Sequence, residues 1–275
     1  MSRPFETPPP TGDERVDALA RLVAIVDRLR APDGCPWDRE QTVDSMAPSL
    51  VEEAHELVEA IESGTDEGTV EEAGDLLMVV VLICRIAQDE GRFDLADAVG
   101  AVGDKLIRRH PHVFGGVDVA LDAKGAAHAI ANWERIKSEE RRSKNADASA
   151  LAGVPKALPA LQRVQRIGAK AIAAGFRWAD AEGALKKLEE EVAELREAFD
   201  AGDEDRVAAE LGDVLLAGAF LGTYLEIDPE RVTRESLRRF ESRFREMEGI
   251  LGDRLRDAPL AELIEAWRRA KARVT

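Results

Sequence analysis

The sequence predicts an all-α fold made of two tandem antiparallel helical bundles. Apolar residues recur with the 3.6-residue period of a helix along most of the chain. We find no stretch with the strict polar and apolar alternation of a β-strand. An acidic pattern also occurs twice, so that Glu56 and Glu194 hold the same place in copies 138 residues apart. The second bundle is therefore predicted to duplicate the first.

The duplicated pattern reads Glu-Glu-x-x-Glu, a gap, and then Glu-x-x-Asp. Residues three or four apart share one face of a helix, so these acids form a stripe. Between Val51 and Glu62 there is no Lys or Arg to relieve the repulsion. Clustered carboxylates need a counter-charge, and hard cations prefer oxygen ligands. The pattern therefore predicts a divalent-metal site, with magnesium as the ion. The acids that recur 138 positions later are Glu52, Glu53, Glu56, Glu59, Glu72 and Asp75.

Composition and net charge limit the kinds of partner that the protein can bind. The chain has 275 residues and a formal net charge of −16, which argues against nucleic acid or an anionic membrane as a main partner. Its longest apolar run is well short of the roughly 20 residues that span a bilayer. Cys35 and Cys84 do not make a disulfide framework. We predict a cytoplasmic protein that does not bind membrane or nucleic acid.

The first half is predicted as residues 14–144, after a disordered, proline-rich tail at 1–13. Its first helix ends at the stop signal Ala31-Pro32-Asp33-Gly34, and Cys35-Pro36-Trp37-Asp38 follows as a loop. The acidic helix ends at Gly64. The next helix holds the second acid pair and an apolar run, and the third closes at His110-Pro111. The predicted helices are 14–30, 45–62, 66–90, 94–109 and 122–142.

The second half is predicted as residues 155–275, after a polar linker at 145–154. It repeats the order of the first half, with a Gly175–Asp180 turn before its acidic helix and Gly202 after it. The predicted helices are 159–174, 181–200, 203–225, 229–250 and 257–273.

Basic and aromatic residues recur in register with the acids. A pair of cations lies at i, i+4 in each half, and a Trp-x-x-x-Lys pair begins 28 residues after the first cation. Carboxylates for metal, cations for phosphate oxygens and an indole that stacks on a base together describe a nucleotide site. The residues are Lys105, Arg109, Trp133 and Lys137 in the first half, and Arg239, Arg243, Trp267 and Lys271 in the second.

Together, these motifs resemble the MazG nucleoside triphosphate pyrophosphohydrolases over residues 15–273. The acid pattern is preceded by Gly34-Cys-Pro-Trp-Asp38 and followed by Lys105-Leu-Ile-Arg-Arg-His-Pro-His-Val-Phe114. The resemblance implies an all-α fold shared with dimeric dUTPases and a homodimer of tandem bundles. It also implies magnesium-dependent cleavage of nucleoside triphosphates to monophosphate and pyrophosphate, as house-cleaning against non-standard nucleotides. Manganese is the expected substitute ion.

The resemblance also implies roles for single residues. In the second half, Glu190 positions or activates water, while Lys187 and the four basic and aromatic residues above meet the nucleotide. The first-half counterpart of Glu190 is Glu52. The predicted magnesium ligands are Glu191, Glu194, Glu210 and Asp213 in the second half, and Glu53, Glu56, Glu72 and Asp75 in the first.

Two departures distinguish the halves. Ser49 occupies the position of Lys187, and Gly68 occupies that of Arg206, itself in place of a lysine of the family. The first half therefore has fewer cations to face phosphate, and the second is predicted to do most of the catalysis.

Two other functions fit parts of the sequence. Glu52-Glu-Ala-His55 supplies the Glu-x-x-His of a di-iron carboxylate bundle, but the second copy has Ala193 in place of the histidine. The other alternative is a helical adaptor without chemistry, whose acids only solvate its surface.

Overall fold

The computed structural model describes residues 8–114, Ile136 and residues 149–274. These residues are helical with no strand among them, which confirms the all-α class with tandem bundles. The helices of the first half are α1 (Glu14–Arg30), α2 (Pro36–Glu40), α3 (Ala47–Ser63), α4 (Asp66–Asp89), α5 (Leu95–Arg109) and α6 (Pro111–Phe114). Those of the second are α7 (Ala160–Ala173), α8 (Ala181–Ala201), α9 (Glu204–Tyr224), α10 (Pro229–Leu251) and α11 (Leu260–Arg273).

The chain divides into two compact units, Met1–Glu139 and Glu140–Thr275. The proposed linker at 145–154 and tail at 1–13 stay predictions. Within the tail, Asp13 caps α1 by accepting a hydrogen bond from the backbone N–H of Arg15 at 3.0 Å. The predicted helix at 122–142 lies outside the described residues, apart from Ile136.

The core of the first unit lies between α1, α3 and α4. Val26 of α1 packs with Val79, Leu82 and Ile86 of α4, and each is almost fully buried. Arg30, at the end of α1, donates to Asp89 of α4 at 2.8 Å. Its guanidinium also donates to two backbone carbonyls in and after α2. This arginine therefore joins the first helix, the short helix and α4.

In the second unit, α7, α8 and α9 pack together and correspond to α1, α3 and α4 of the first unit. Gly168 of α7 lets the helix approach closely, because a Cβ there would lie 3.1 Å from both Phe220 and Thr223 of α9. The ring of Trp178 packs edge-on against Phe220, and its backbone N–H donates to the hydroxyl of Tyr224 at 2.8 Å. The start of α8 is thereby fixed against the end of α9.

Two local predictions were wrong. Pro36–Glu40 is a short helix and not a loop, with proline in its first turn, where a missing N–H costs nothing. The last helix begins at Leu260 and not at 257, with Pro259 as its N-cap, and Gly252–Arg256 before it forms a 3₁₀ turn. The helix predicted to close at His110-Pro111 does end at Arg109, and Pro111–Phe114 then makes one further helical turn.

Candidate active site

A glycine turn in each half brings the two acid segments face to face. Gly64 has φ 75° and Gly202 has φ 68°, so each ends its acidic helix in the left-handed conformation that glycine adopts without strain. The next helix begins two residues later and runs back antiparallel. Glu56 lies eight residues before Gly64, and Glu72 lies eight residues after it. Both are thus about 12 Å along their helices from the turn, so they meet across the helix pair.

The first half brings three of its predicted ligands together. Carboxylate oxygens of Glu53, Glu56 and Glu72 all lie within 4.8 Å of one another. Asp75, one turn beyond Glu72, is exposed and does not belong to this group. Its charge nevertheless raises the pKa of Glu53, so it lies close to the cluster.

The second half repeats the arrangement with Glu191, Glu194 and Glu210, whose oxygens also lie within 4.8 Å of one another. Glu191 is 8% exposed, and it is one of two charged residues classed as buried among the described residues. Asp213 holds the place of Asp75 and is likewise exposed and outside the group. A buried carboxylate among other carboxylates requires a cation nearby.

Two cations of the second half, Lys187 and Arg206, form ion pairs with these acids. The ammonium of Lys187 donates to Glu190 at 2.8 Å and lies 2.9 Å from Glu191. These two carboxylates raise the pKa of Lys187, which therefore stays charged. Arg206 donates to Glu210 at 3.2 Å, from a position one turn earlier on α9.

Glu197 is a residue that the sequence analysis did not single out for this site. Its carboxylate lies 3.7 Å from the guanidinium of Arg206. The signal was present in the sequence, since Glu197 recurs 138 positions after Glu59. Arg206 thus pairs with an acid of α8 and an acid of α9.

At the two corresponding positions the first half has Ser49 and Gly68 instead of cations. Burial, followed by the charge of Glu56, raises the pKa of both Glu53 and Glu72. Burial also raises the pKa of Glu194, and Glu191 adds to the effect while Lys187 opposes it. A carboxylate with a raised pKa in the folded chain stabilises the fold less as pH rises through that pKa. Near neutral pH these clusters therefore favour a bound cation.

The basic and aromatic residues predicted to bind the nucleotide lie on helices other than those that carry the acid clusters. Trp267 packs against Phe240 at 5.2 Å, in the contact between α10 and α11, and Lys271 is exposed. Arg239 is exposed and donates to Ser236 at 2.7 Å, while Nε of Arg243 is buried without a hydrogen-bond partner among the described residues. In the first half, Lys105 is exposed and Arg109 is half-buried on α5. Trp133 and Lys137 lie outside the described residues.

Comparison with known proteins decides the family. Residues 41–114 and 180–247 each match the model of the MazG nucleotide pyrophosphohydrolase domain. The chain belongs to the MazG family. Both acid clusters fall inside the two MazG segments, as do Lys187, Arg206, Arg239 and Arg243. Trp267 and Lys271 lie beyond the second segment.

Two of the similar proteins span nearly the same length as this chain, and a third is longer. A nucleoside triphosphate pyrophosphohydrolase/pyrophosphatase MazG from Thermotoga maritima is 40% identical over 253 residues, which is 91% of this chain and 94% of that protein. A nucleoside triphosphate pyrophosphohydrolase from Escherichia coli K12 is 39% identical over 262 residues, 93% of this chain and 98% of that protein. One from Mycobacterium tuberculosis is 34% identical over 56% of this chain and 47% of its own length.

Proposed function

We propose that the chain hydrolyses nucleoside triphosphates to monophosphate and pyrophosphate, as house-cleaning of the nucleotide pool. The observation that carries the proposal is the cluster of Glu191, Glu194 and Glu210 beside Lys187, inside a MazG segment. It combines an all-oxygen ligand set with a fixed cation. Acids and cations held together in this way suit a polyphosphate that arrives with a metal ion.

Magnesium fits the donor set, with manganese as a substitute. Three carboxylates whose oxygens lie within 4.8 Å of one another are hard ligands of the kind magnesium prefers. The pKa of Glu194 is raised by burial first and then by the charge of Glu191. Asp213, one helical turn after Glu210, would add a fourth ligand. When bound, the ion neutralises phosphate charge and activates water. The corresponding ligands of the first half are Glu53, Glu56, Glu72 and Asp75.

The remaining roles fall to side chains next to the ligands. Glu190 lies on the same helix as Glu191 and Glu194, its side chain is 56% exposed and pairs with Lys187, and it would hold and orient the attacking water. Lys187 and Arg206 lie next to the cluster, paired with Glu191 and Glu210, and would stabilise charge on the phosphates. Glu52 is the counterpart of Glu190 in the first half. The residues proposed to hold the nucleotide are Arg239, Arg243, Trp267 and Lys271, with Lys105, Arg109, Trp133 and Lys137 in the first half.

The two alternative functions are weaker. His55 of the Glu-x-x-His motif does not join the close carboxylate group of the first half within the described residues. That cluster therefore lacks the nitrogen ligand that a di-iron site of this type uses. The adaptor hypothesis gives no reason for two carboxylate clusters inside two MazG segments.

We place the protein in the cytoplasm, where its free thiols Cys35 and Cys84 stay reduced. Among the described residues, Glu204–Tyr224 (α9) is long and apolar enough to cross a membrane by length and composition. The same helix packs against α8 and holds Glu210 and Arg206 of the carboxylate site.

A homodimer is expected from the apolar surface that each half leaves exposed. On α8 and α9 these residues include Val192, Phe199, Leu215 and Leu216, whose exposed fractions range from 49% to 66%. Light scattering should give a mass near twice 30.1 kDa. A mass that stays at one chain at all concentrations would contradict this expectation.

The test of the proposed function is pyrophosphate release from a panel of standard and damaged nucleoside triphosphates, with and without magnesium. We expect release from at least part of the panel, and loss of it when magnesium is removed by chelation. Glu194→Gln keeps the shape of the side chain but removes a ligand, so its activity should collapse with the fold intact. Normal turnover of that variant at saturating magnesium would refute the site.

A further inference from the structure

The two acid clusters differ in how much of their charge the chain itself compensates. Residues 40–84 contain 12 Asp and Glu and no Lys or Arg, a formal charge of −12. The same stretch 138 positions later, residues 178–222, contains 13 Asp and Glu with 4 Lys and Arg, a formal charge of −9. The first cluster is Glu53, Glu56 and Glu72, and the second cluster is Glu191, Glu194 and Glu210.

Two of the three glutamates in the second cluster are held in ion pairs. The ammonium of Lys187 lies 2.9 Å from Glu191, and the guanidinium of Arg206 lies 3.2 Å from Glu210. Lys187 is held from another side by Glu190 at 2.8 Å. A free metal ion that enters the second cluster therefore meets two positive charges and competes with them for Glu191 and Glu210.

The first cluster presents the same three ligands without these competitors. Ser49 and Gly68 stand at the positions that correspond to Lys187 and Arg206. Among the ion pairs found within residues 8–114, none includes a glutamate of the first cluster. A free ion that enters there relieves repulsion between carboxylates and displaces no cation.

Electrostatics gives the direction and the size of the difference. A divalent ion carries two charges, so an ammonium or guanidinium a few ångströms away opposes its entry. Even at the effective dielectric constant of a protein surface, unit charges at such distances change a binding constant by about tenfold or more. Glu191 is buried, but burial strengthens its attraction to Lys187 as well as to a metal ion, so it does not cancel the difference.

A triphosphate reverses this balance in the second half. Its oxygens accept hydrogen bonds from Lys187 and Arg206, which are the donors that phosphate groups favour. Once the two cations pair with phosphate, Glu191 and Glu210 are released to the metal ion. Ion and triphosphate therefore assist each other's binding in the second half.

We propose that the two halves take up divalent cation in different ways, the first cluster as the free ion and the second cluster together with the nucleotide. Lys187 and Arg206 serve as internal counter-ions that exchange a carboxylate for a phosphate when the substrate arrives. The first cluster is then a cation site that fills without nucleotide and joins α3 to α4. The role of the triphosphate in this inference rests on the proposed function.

Titration of the full chain with Mn²⁺ in the absence of nucleotide tests the proposal, with the free ion measured by electron paramagnetic resonance. The wild-type chain should show one tighter and one weaker site, with dissociation constants that differ by about tenfold. Glu53→Gln combined with Glu56→Gln should lose the tighter site. Glu191→Gln combined with Glu194→Gln should keep it.

The coupling to nucleotide is measured on the first-half double variant, in which only the second cluster is intact. Equilibrium dialysis against Mn²⁺ is run with and without an α,β-methylene triphosphate on both sides of the membrane, because the proposed reaction cannot cleave that bond. The Mn²⁺ retained by the protein should rise when the analogue is present. No rise would overturn the joint uptake of ion and nucleotide.

Variants that exchange the cations between the halves test the cause. Lys187→Met with Arg206→Met, in the chain that lacks the first cluster, should tighten binding of free Mn²⁺ about tenfold. Ser49→Lys, in the chain that lacks the second cluster, should weaken it by a similar factor. Lys186→Met is the matched control, because Lys186 pairs with Glu182 at 3.5 Å and should leave the affinity unchanged. Circular dichroism confirms that each variant is folded.

The nucleotide-free titrations decide the order of affinity without reference to activity. Equal affinities of the two halves, or loss of the tighter site in the second-half double variant, would overturn the proposal. Unchanged affinities in both exchange variants would do so too, because the cations would then not be the cause. A failure of the proposed function is seen separately, as absence of pyrophosphate release by the wild-type chain.

Discussion

Glu191→Gln combined with Glu194→Gln is expected to abolish most turnover, by at least about 100-fold, whereas Glu53→Gln combined with Glu56→Gln should leave most of it. Both pairs remove two carboxylates from a cluster within 4.8 Å. The second half, however, has Lys187 and Arg206 on its acids, where the first has Ser49 and Gly68. Fewer cations weaken both triphosphate binding and the stabilisation of charge on the leaving pyrophosphate. Steady-state pyrophosphate release measures the difference.

The two double variants serve as controls for each other, because each makes the same chemical change at positions 138 residues apart. Both should be compared as folded protein, by circular dichroism and thermal melting. Both pairs relieve repulsion between like charges, but Glu191→Gln also removes the ion pair with Lys187, so a higher melting temperature is expected only for the first-half pair. If the first-half variant is the inactive one, the argument from cations is wrong and the assignment of the halves reverses.

Lys187→Met is expected to lower kcat/KM about 100-fold, since it removes a charge that contacts two acids of the site. The Lys187 side chain is 32% exposed, and its ammonium lies 2.8 Å from Glu190 and 2.9 Å from Glu191. Lys186→Met is the matched control. Lys186 is the preceding residue on the same helix, but it is 68% exposed and pairs with Glu182 at 3.5 Å, away from the cluster.

The pair of lysine variants separates a local role from a change in net charge, because both lose one positive charge from α8. Lys186→Met should keep near-normal kinetics and the same melting temperature within a narrow margin. Equal losses in the two variants would indicate that general electrostatics, and not the contact with Glu190 and Glu191, explains the effect. Retained activity in Lys187→Met would remove this residue from the site.

The helices and the meeting of the acids could be predicted from the sequence because the signals are local. Gly64 and Gly202 each end an acidic helix, and glycine tolerates the left-handed conformation that this requires. Glu194 and Glu210 are equally far from Gly202, so any antiparallel return brings them together. The spacing of the acids and the position of one glycine were therefore sufficient to predict that the acids meet.

Local sequence patterns were not sufficient where packing between distant segments decides the structure. Ile61 belongs to the apolar side of the acidic helix, yet it is 58% exposed, because a periodic pattern indicates a face without saying whether the chain supplies a partner for it. The segment around Trp37 has turn residues typical of a loop. It nevertheless forms a short helix, which contacts α1 and whose Asp38 carbonyl accepts a hydrogen bond from Arg30.

By itself, then, the sequence determined the class of fold, the duplication and the approach of the paired carboxylates, since these depend on residues within a helix and its next turn. The tertiary structure decided that Glu191 is buried while Asp75 and Asp213 stay exposed. It also decided that α10 packs on α7 and α11. Such outcomes depend on which surfaces of distant segments fit together, and no pattern within one helix encodes that fit.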